Sequence, residues 1–204
     1  MTTIWLVARG AGLAALVLLT LSTVLGAFVS RHGAADPDGS PARRYVLQYL
    51  HRAFAGLGLA ALALHVGTIL ADSYAHVGWL GALVPFASGY RAAAVALGTI
   101  ATYLLVGVAV LGLARGRIAA SMRGARIWRA LHGLGYLALG SALWHGFLAG
   151  TDSSVGWVRQ LYIGCAVAIF GSFAARLVKH ANAPAGDRFA GRVRTRPHAQ
   201  GVTR

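Results

Sequence analysis

The chain has little charge. Charged residues make up 12% of its 204 positions, about half the share of an average soluble protein. So few charges cannot cover a water-facing surface, and a hydrophobic content of 57% places the chain among membrane proteins. Cysteine is nearly missing. The one present, Cys165, excludes an intramolecular disulfide and a thiolate metal cluster, and its apolar surroundings mark it as a packing residue. No G-x-G-x-x-G fingerprint and no Walker motif occurs, so no nucleotide-binding signature is present. Acidic residues number 5 against 19 basic ones, a net charge of +14. That excess would suit nucleic acid, but the basic residues lie between apolar runs and no recognition motif accompanies them, so nucleic acid is not an expected partner.

The apolar runs are what the chain does have. Five segments, Ile4–Ser30, Tyr45–Ala71, Ala92–Leu113, Ile127–Ala149 and Val155–Val178, each reach the roughly 20 residues that cross a bilayer as a helix. The first begins "MTTIWLV". It lacks a basic leader and runs longer than a signal-peptide core, so it reads as a retained helix. The expected fold is an all-α integral membrane bundle of five transmembrane helices. Loop charge sets its orientation. Arg31, Arg43 and Arg44 follow the first helix, and Arg115, Arg117, Arg123, Arg126 and Arg129 lie between the third and fourth. Arg176, Lys179, Arg188, Arg192, Arg194, Arg196 and Arg204 end the chain. By the positive-inside rule the N-terminus is outside and the C-terminus cytoplasmic, in a cell membrane of bacterial type. Residues 1–180 form one membrane domain, and 181–204, basic with Gly and Pro, read as a disordered tail. Residues 72–90 are apolar but interrupted by Gly78, Gly81 and Pro85, which suits a segment lying at the interface with Trp79 as an anchor.

Four histidines stand inside these runs, where polar groups are costly and mark function. His51 and His65 are 14 residues apart on the second segment, about 21 Å along a helix and about 40° apart in azimuth. His132 and His145 are 13 residues apart on the fourth, about 20 Å. Both segments run the same way, so His51 and His132 share the inner level, and His65 and His145 the outer. Two imidazoles at each of two depths suit two bis-histidine haems b, whose rings need apolar slots. Gly56, Gly58, Gly133, Gly135 and Gly140 would give such a ring room to approach the backbone. Thirteen residues leave the second pair about 140° out of line on an ideal helix, so a distortion between Gly133 and Gly140, such as a π-bulge, is expected. The alternative for all four is hydrogen bonding between helices. Zinc is disfavoured because no carboxylate or thiol joins either pair.

An H-x13-H helix and an H-x12-H helix, separated by one other helix, resemble the ferric reductase-like transmembrane domain. That superfamily includes ferric reductases, the NADPH oxidase membrane domain and the haem subunit of the bacterial methionine sulfoxide reductase system. The likeness covers residues 4–178. It implies that His51 and His132 hold the inner haem iron, and His65 and His145 the outer. It implies electron transfer from a cytoplasmic flavin to an acceptor outside, an oxidoreductase role. The stretch "WLVARGAG" is similar to the family's first shared helix. Its Arg9 is then a propionate partner or a polar group at the acceptor site, or else an arginine reaching the headgroups. Arg52 has the same two readings at the inner haem, and Arg91 at the outer. Trp144, Tyr136 and Phe54 would pack on the haem rings or in the bundle core.

The chain departs from the family in three places. It has no fused flavin and nicotinamide domain, it lacks an extra helix before the shared core, and Ile69 stands where the oxidases carry a polar residue. Superoxide production is therefore not implied. FAD or FMN belongs on a partner, a cytoplasmic flavoprotein reductase docking on the Arg115–Arg129 loop. A membrane quinol is the other donor to consider, as for a quinol-linked cytochrome b subunit. The acceptor is ferric iron, oxygen or an extracytoplasmic redox protein. Of the remaining histidines, His32, His180 and His198 lie in loops or the tail. His76, near Asp72 and Tyr74, reads as a solvated loop residue more readily than as a metal ligand. The third possibility is a non-enzymatic membrane protein whose histidines only bridge helices.

Overall fold

The structure, a computed structural model, describes residues 3–31, 40–72 and 77–181, and among them every regular element is a helix. In chain order these are α1 (Thr3–Arg31), α2 (Pro41–Ala71), α3 (Gly78–Leu83), α4 (Ala92–Leu113), α5 (Arg115–Ile118), α6 (Met122–His132), α7 (Gly135–Ala149) and α8 (Gly156–Ala181). Their starts follow local chemistry. Ser40 caps α2 by accepting from the Arg43 N–H at 3.2 Å, with Pro41 in the first turn, where its missing N–H costs nothing. Ser121 caps α6 through the Gly124 N–H at 3.0 Å. The expected tail from 182 onward, His76, Tyr74, His32 and His198 lie outside the described residues.

Four helices, α1, α2, α4 and α8, are long and apolar enough to cross a membrane. Their outward faces carry Leu6, Leu57, Leu64, Val106, Val110, Val167 and Phe170, all exposed. A polar solvent does not tolerate apolar surface of that extent, whereas lipid does. Between α3 and α4 the chain reverses through Phe86 and Arg91, both at positive φ, and Trp79 stays exposed, in keeping with an interfacial position for this segment.

The expected fourth segment, Ile127–Ala149, is not one helix. Helix begins earlier, at Met122, and breaks at Gly133 and Leu134. The break is a tightening, not the expected π-bulge. Leu134 N–H bonds to Leu131 C=O at 3.0 Å and Tyr136 N–H to Gly133 C=O at 3.1 Å, and both residues have ψ near −16°, at −18° and −14°. These are i→i+3 bonds of the 3₁₀ kind, which turn each residue by about 20° more than an α-helix. Thirteen α-helical steps fall about 140° short of four turns, so overwinding brings His145 back toward the azimuth of His132, while a π-bulge would unwind it further. Two residues of the 3₁₀ kind recover about 40° of the shortfall, and side-chain rotamers share the rest.

Two close helix pairs build the bundle, α1 with α2 and α4 with α7, and α8 packs on α1 and α7. The middle is closed by Leu19, Leu105, Ala138, Leu139 and Ile169. Leu19 lies halfway between Gly12 and Gly26 on α1, and Leu105 halfway between Gly98 and Gly112 on α4. Gly58, halfway between His51 and His65, lets α2 close on α1: a Cβ there would stand 2.7 Å from Leu19 Cγ. A second cluster, Trp5, Val77 and Val95, closes the end at which α1 begins.

Two candidate bis-histidine sites

The four histidines meet in the expected pairs. The rings of His51 and His132 have centroids 6.3 Å apart, and those of His65 and His145 6.2 Å apart, each pair at 73°. These distances have a chemical meaning. An imidazole nitrogen lies about 2.0–2.1 Å from a bound transition metal and about 1.1 Å from its own ring centre. Two imidazoles on opposite sides of one ion therefore have centres about 6.2–6.4 Å apart. Two rings in direct edge-to-face contact also have centroids about 4.5–7 Å apart, so the separation fits either arrangement. The spacing leaves room for one metal ion per pair.

Backbone carbonyls orient the rings. His65 Nδ1 donates to the Ala8 carbonyl at 2.7 Å, and His145 Nδ1 to the Ala94 carbonyl at 2.7 Å. His51 Nδ1 donates to the Ser22 carbonyl at 2.8 Å, with Ser22 Oγ 2.9 Å away. A carbonyl only accepts, so Nδ1 carries the proton and Nε2 keeps its lone pair, the tautomer a metal takes. No described hydrogen bond uses Nε2.

Each carbonyl belongs to the residue four before a glycine: Ala8 and Gly12, Ser22 and Gly26, Ala94 and Gly98. The glycines explain how an imidazole reaches a carbonyl already engaged in its helix. A Cβ on Gly12 would lie 2.9 Å from His65 Nδ1, one on Gly26 3.1 Å from His51, and one on Gly98 2.7 Å from His145 Nδ1. Glycine is the residue that leaves that space. The fourth case follows the same register with a looser fit. His132 faces the Val108 carbonyl, four before Gly112. A Cβ on Gly112 would be 3.6 Å away, and His132 Nδ1 closes no hydrogen bond of normal geometry.

These four glycines were not singled out in the sequence. The five that were behave differently: Gly56 and Gly140 border open space, Gly58 meets Leu19, Gly135 meets Val108, and Gly133 sits in the helix break. A signal for the others existed. G-x6-L-x6-G occurs on α1 (Gly12, Leu19, Gly26) and again on α4 (Gly98, Leu105, Gly112), at the same 14-residue spacing as His51 and His65.

A cavity of about 230 Å³ surrounds His65 and His145, lined mainly by apolar side chains such as Leu16, Leu62 and Leu139. Arg9 and Asp152 form an ion pair on its wall, with Tyr90 and Tyr162 beside them. Arg9 is thus paired with a partly exposed carboxylate of the α7–α8 loop. Arg91 donates to the Leu148 carbonyl near the end of α7 and lies over the Tyr90 ring, a capping role. Arg52 is exposed beside His51. Tyr136 packs on Phe173 at 5.1 Å against the core, Trp144 is exposed, and Phe54 is half-buried.

The aromatic group in contact with a histidine is one the sequence did not mark. Trp128 stacks on His132 with centroids 4.7 Å apart at 14°. Arg115 and Arg176 also act on His132 electrostatically.

Comparison with known proteins returns no match: no family model, no curated protein and no solved structure is significantly similar to the chain.

Proposed function

We propose that this protein is a transmembrane electron carrier holding two haems b, a haem-containing oxidoreductase component. In this reading the broken α6–α7 completes a fifth crossing, α1 begins outside, and α8 ends in the cytoplasm. The observation that carries it is the pair of imidazole separations, 6.3 and 6.2 Å, with Nδ1 of His51, His65 and His145 tied to backbone carbonyls. His51 and His132 hold the inner iron, and His65 and His145 the outer. The haem iron, when bound, supplies the one-electron chemistry. The chain's own residues supply ligand orientation through Ala8, Ser22 and Ala94, backbone access through the four glycines, and a dry apolar middle through Leu19, Leu105 and Leu139.

The donor is a cytoplasmic flavoprotein carrying FAD or FMN, and the exposed Arg117, Arg123, Arg126 and Arg129 give its acidic surface a place to dock. The acceptor is ferric iron, oxygen or a redox protein outside. A membrane quinol is the rival donor, and reduction of the purified haems by a quinol alone would select it.

Bridging of helices by histidine is the rival reading of the site. Three of the four do bridge through Nδ1. That role uses Nδ1 and leaves Nε2, which no described hydrogen bond engages, open to a ligand. The test is a reduced-minus-oxidised absorption spectrum with haem counted per chain, on the wild type, His65→Ala and His132→Ala. Two haems b in the wild type, with each variant losing a different one, are expected. A colourless, well-folded preparation overturns the proposal.

A further inference from the structure

Three of the four histidines are fixed in the same way, and the fourth is not. His51, His65 and His145 each donate Nδ1–H to a carbonyl at 2.7–2.8 Å. His132 makes no such bond of normal geometry, and Gly112 stands farther from it than the other glycines do from their rings. It also lies one residue before the helix break, where backbone tethering is weakest. Something else must hold this ring in place.

Trp128 occupies the preceding turn of α6, and its indole lies flat on the His132 ring, 4.7 Å between centroids and 14° from parallel. The indole is itself anchored. Its Nε1–H donates to the Leu111 carbonyl at 2.7 Å, on α4 one residue before Gly112. The Arg115 guanidinium sits 5.2 Å from the centre of the Trp128 ring, within cation–π range. The tether from α4 to His132 therefore runs through Trp128: carbonyl to indole N–H, then indole face to imidazole face.

Stacking and hydrogen bonding are not equivalent restraints. A hydrogen bond fixes both the position of the ring and its rotation, and it raises the basicity of the ligand nitrogen. A stacked face fixes the plane but lets the ring slide and turn within it, and Nδ1 of His132 faces the Val108 carbonyl without closing a bond of normal geometry. The inner site is thus built with one firm ligand and one yielding ligand, and the outer site with two firm ones.

We propose that Trp128 is the positioning residue of the inner site, and that His132, held by stacking, is the ligand most readily released. This rests on the di-haem reading above. It implies that without the stack His132 leaves the iron, and that a small ligand such as carbon monoxide then gains access to the inner haem and not the outer.

The experiment uses the full-length purified protein and its Trp128→Leu and Trp128→Phe variants. Haem per chain, ferric spin state by electron paramagnetic resonance, and carbon monoxide binding to the reduced protein are measured. Wild type is expected to show two low-spin haems that bind no carbon monoxide. W128L should retain two haems, with one converted to high spin and binding carbon monoxide. W128F, which keeps a stacking face, should return that haem to low spin, which a mere cavity effect would not do. Should W128L not fold, warming the wild type gives the same answer: the first haem to become high spin should be the one that His132→Ala lacks. The proposal is overturned if both haems in W128L stay low spin and closed to carbon monoxide, or if the haem that loosens is the one that His65→Ala lacks. A wild type without haem overturns the di-haem reading instead, so the two failures are distinct.

Discussion

The two histidine pairs share a geometry to within 0.1 Å in centroid separation, at 6.3 and 6.2 Å, yet they are supported differently. The pair His65–His145 is enclosed. Both rings bond to helix carbonyls, both would stand within 3.0 Å of a Cβ added at the glycine they face, and both line an apolar cavity. The pair His51–His132 is half tied and half stacked, with Arg115 and Arg176 acting on it. Equal ligand spacing therefore does not mean equal sites. Ring separation is set by helix register, whereas the strength and potential of any metal site the rings hold would be set by what stands behind each ring.

The strongest way to break the comparison is through the glycines. Gly98→Ala places a methyl group 2.7 Å from His145 Nδ1, which must give up its bond to Ala94. Loss of the outer haem is expected, read as haem per chain. Gly112→Ala, with 3.6 Å available, should keep both haems. Equal losses in the two variants would show that the glycines serve general helix packing instead.

Gly58→Ala should affect both levels alike, because the clash with Leu19 lies between them. Overpacking of this kind costs about 1–3 kcal/mol, and thermal unfolding should show it with no preference for either haem. Arg115→Gln is expected to lower one of the two haem potentials, since removing a nearby cation favours the ferric state. The shift should be on the order of tens of millivolts, read by a redox titration that leaves the other potential in place.

The Arg9–Asp152 ion pair is partly exposed on its aspartate side. A double-mutant cycle with Arg9→Gln and Asp152→Asn should give a coupling below about 1 kcal/mol, confined to the outer half. Arg52→Gln should change neither haem content nor stability by more than about 0.5 kcal/mol, because Arg52 is exposed. A lost inner haem in that variant would place Arg52 in the site after all.

Much of this was legible in the chain. Helices α1, α2, α4 and α8 begin and end within a few residues of four of the five apolar runs, because lipid-length hydrophobicity is a property of local composition; the fifth run is divided between α6 and α7. The pairing of His51 with His132 and of His65 with His145 followed from helical rise together with the common direction of the second and fourth segments. The break at Gly133–Leu134 was foreseeable as a mismatch of 13 against 14 residues, and so was its sense, since only overwinding moves His145 toward the azimuth of His132; the expected π-bulge had the wrong sign. The glycines of α1 and α4 escaped attention because they are on helices without histidines, and nothing local in "GLAALVLLTLSTVLG" says that an imidazole will rest on it.

The sequence by itself determined the extent and apolar character of α1, α2, α4 and α8 and the two levels at which histidines occur, since these depend on the periodicity and composition of the segments. Only the tertiary structure decided which carbonyl orients each ring, that Trp128 stands in for one of them, and that Arg9 joins Asp152. Those contacts join residues from different segments, and their distances are set by how closely two helices approach and how far each is turned about its axis, quantities that no segment carries alone.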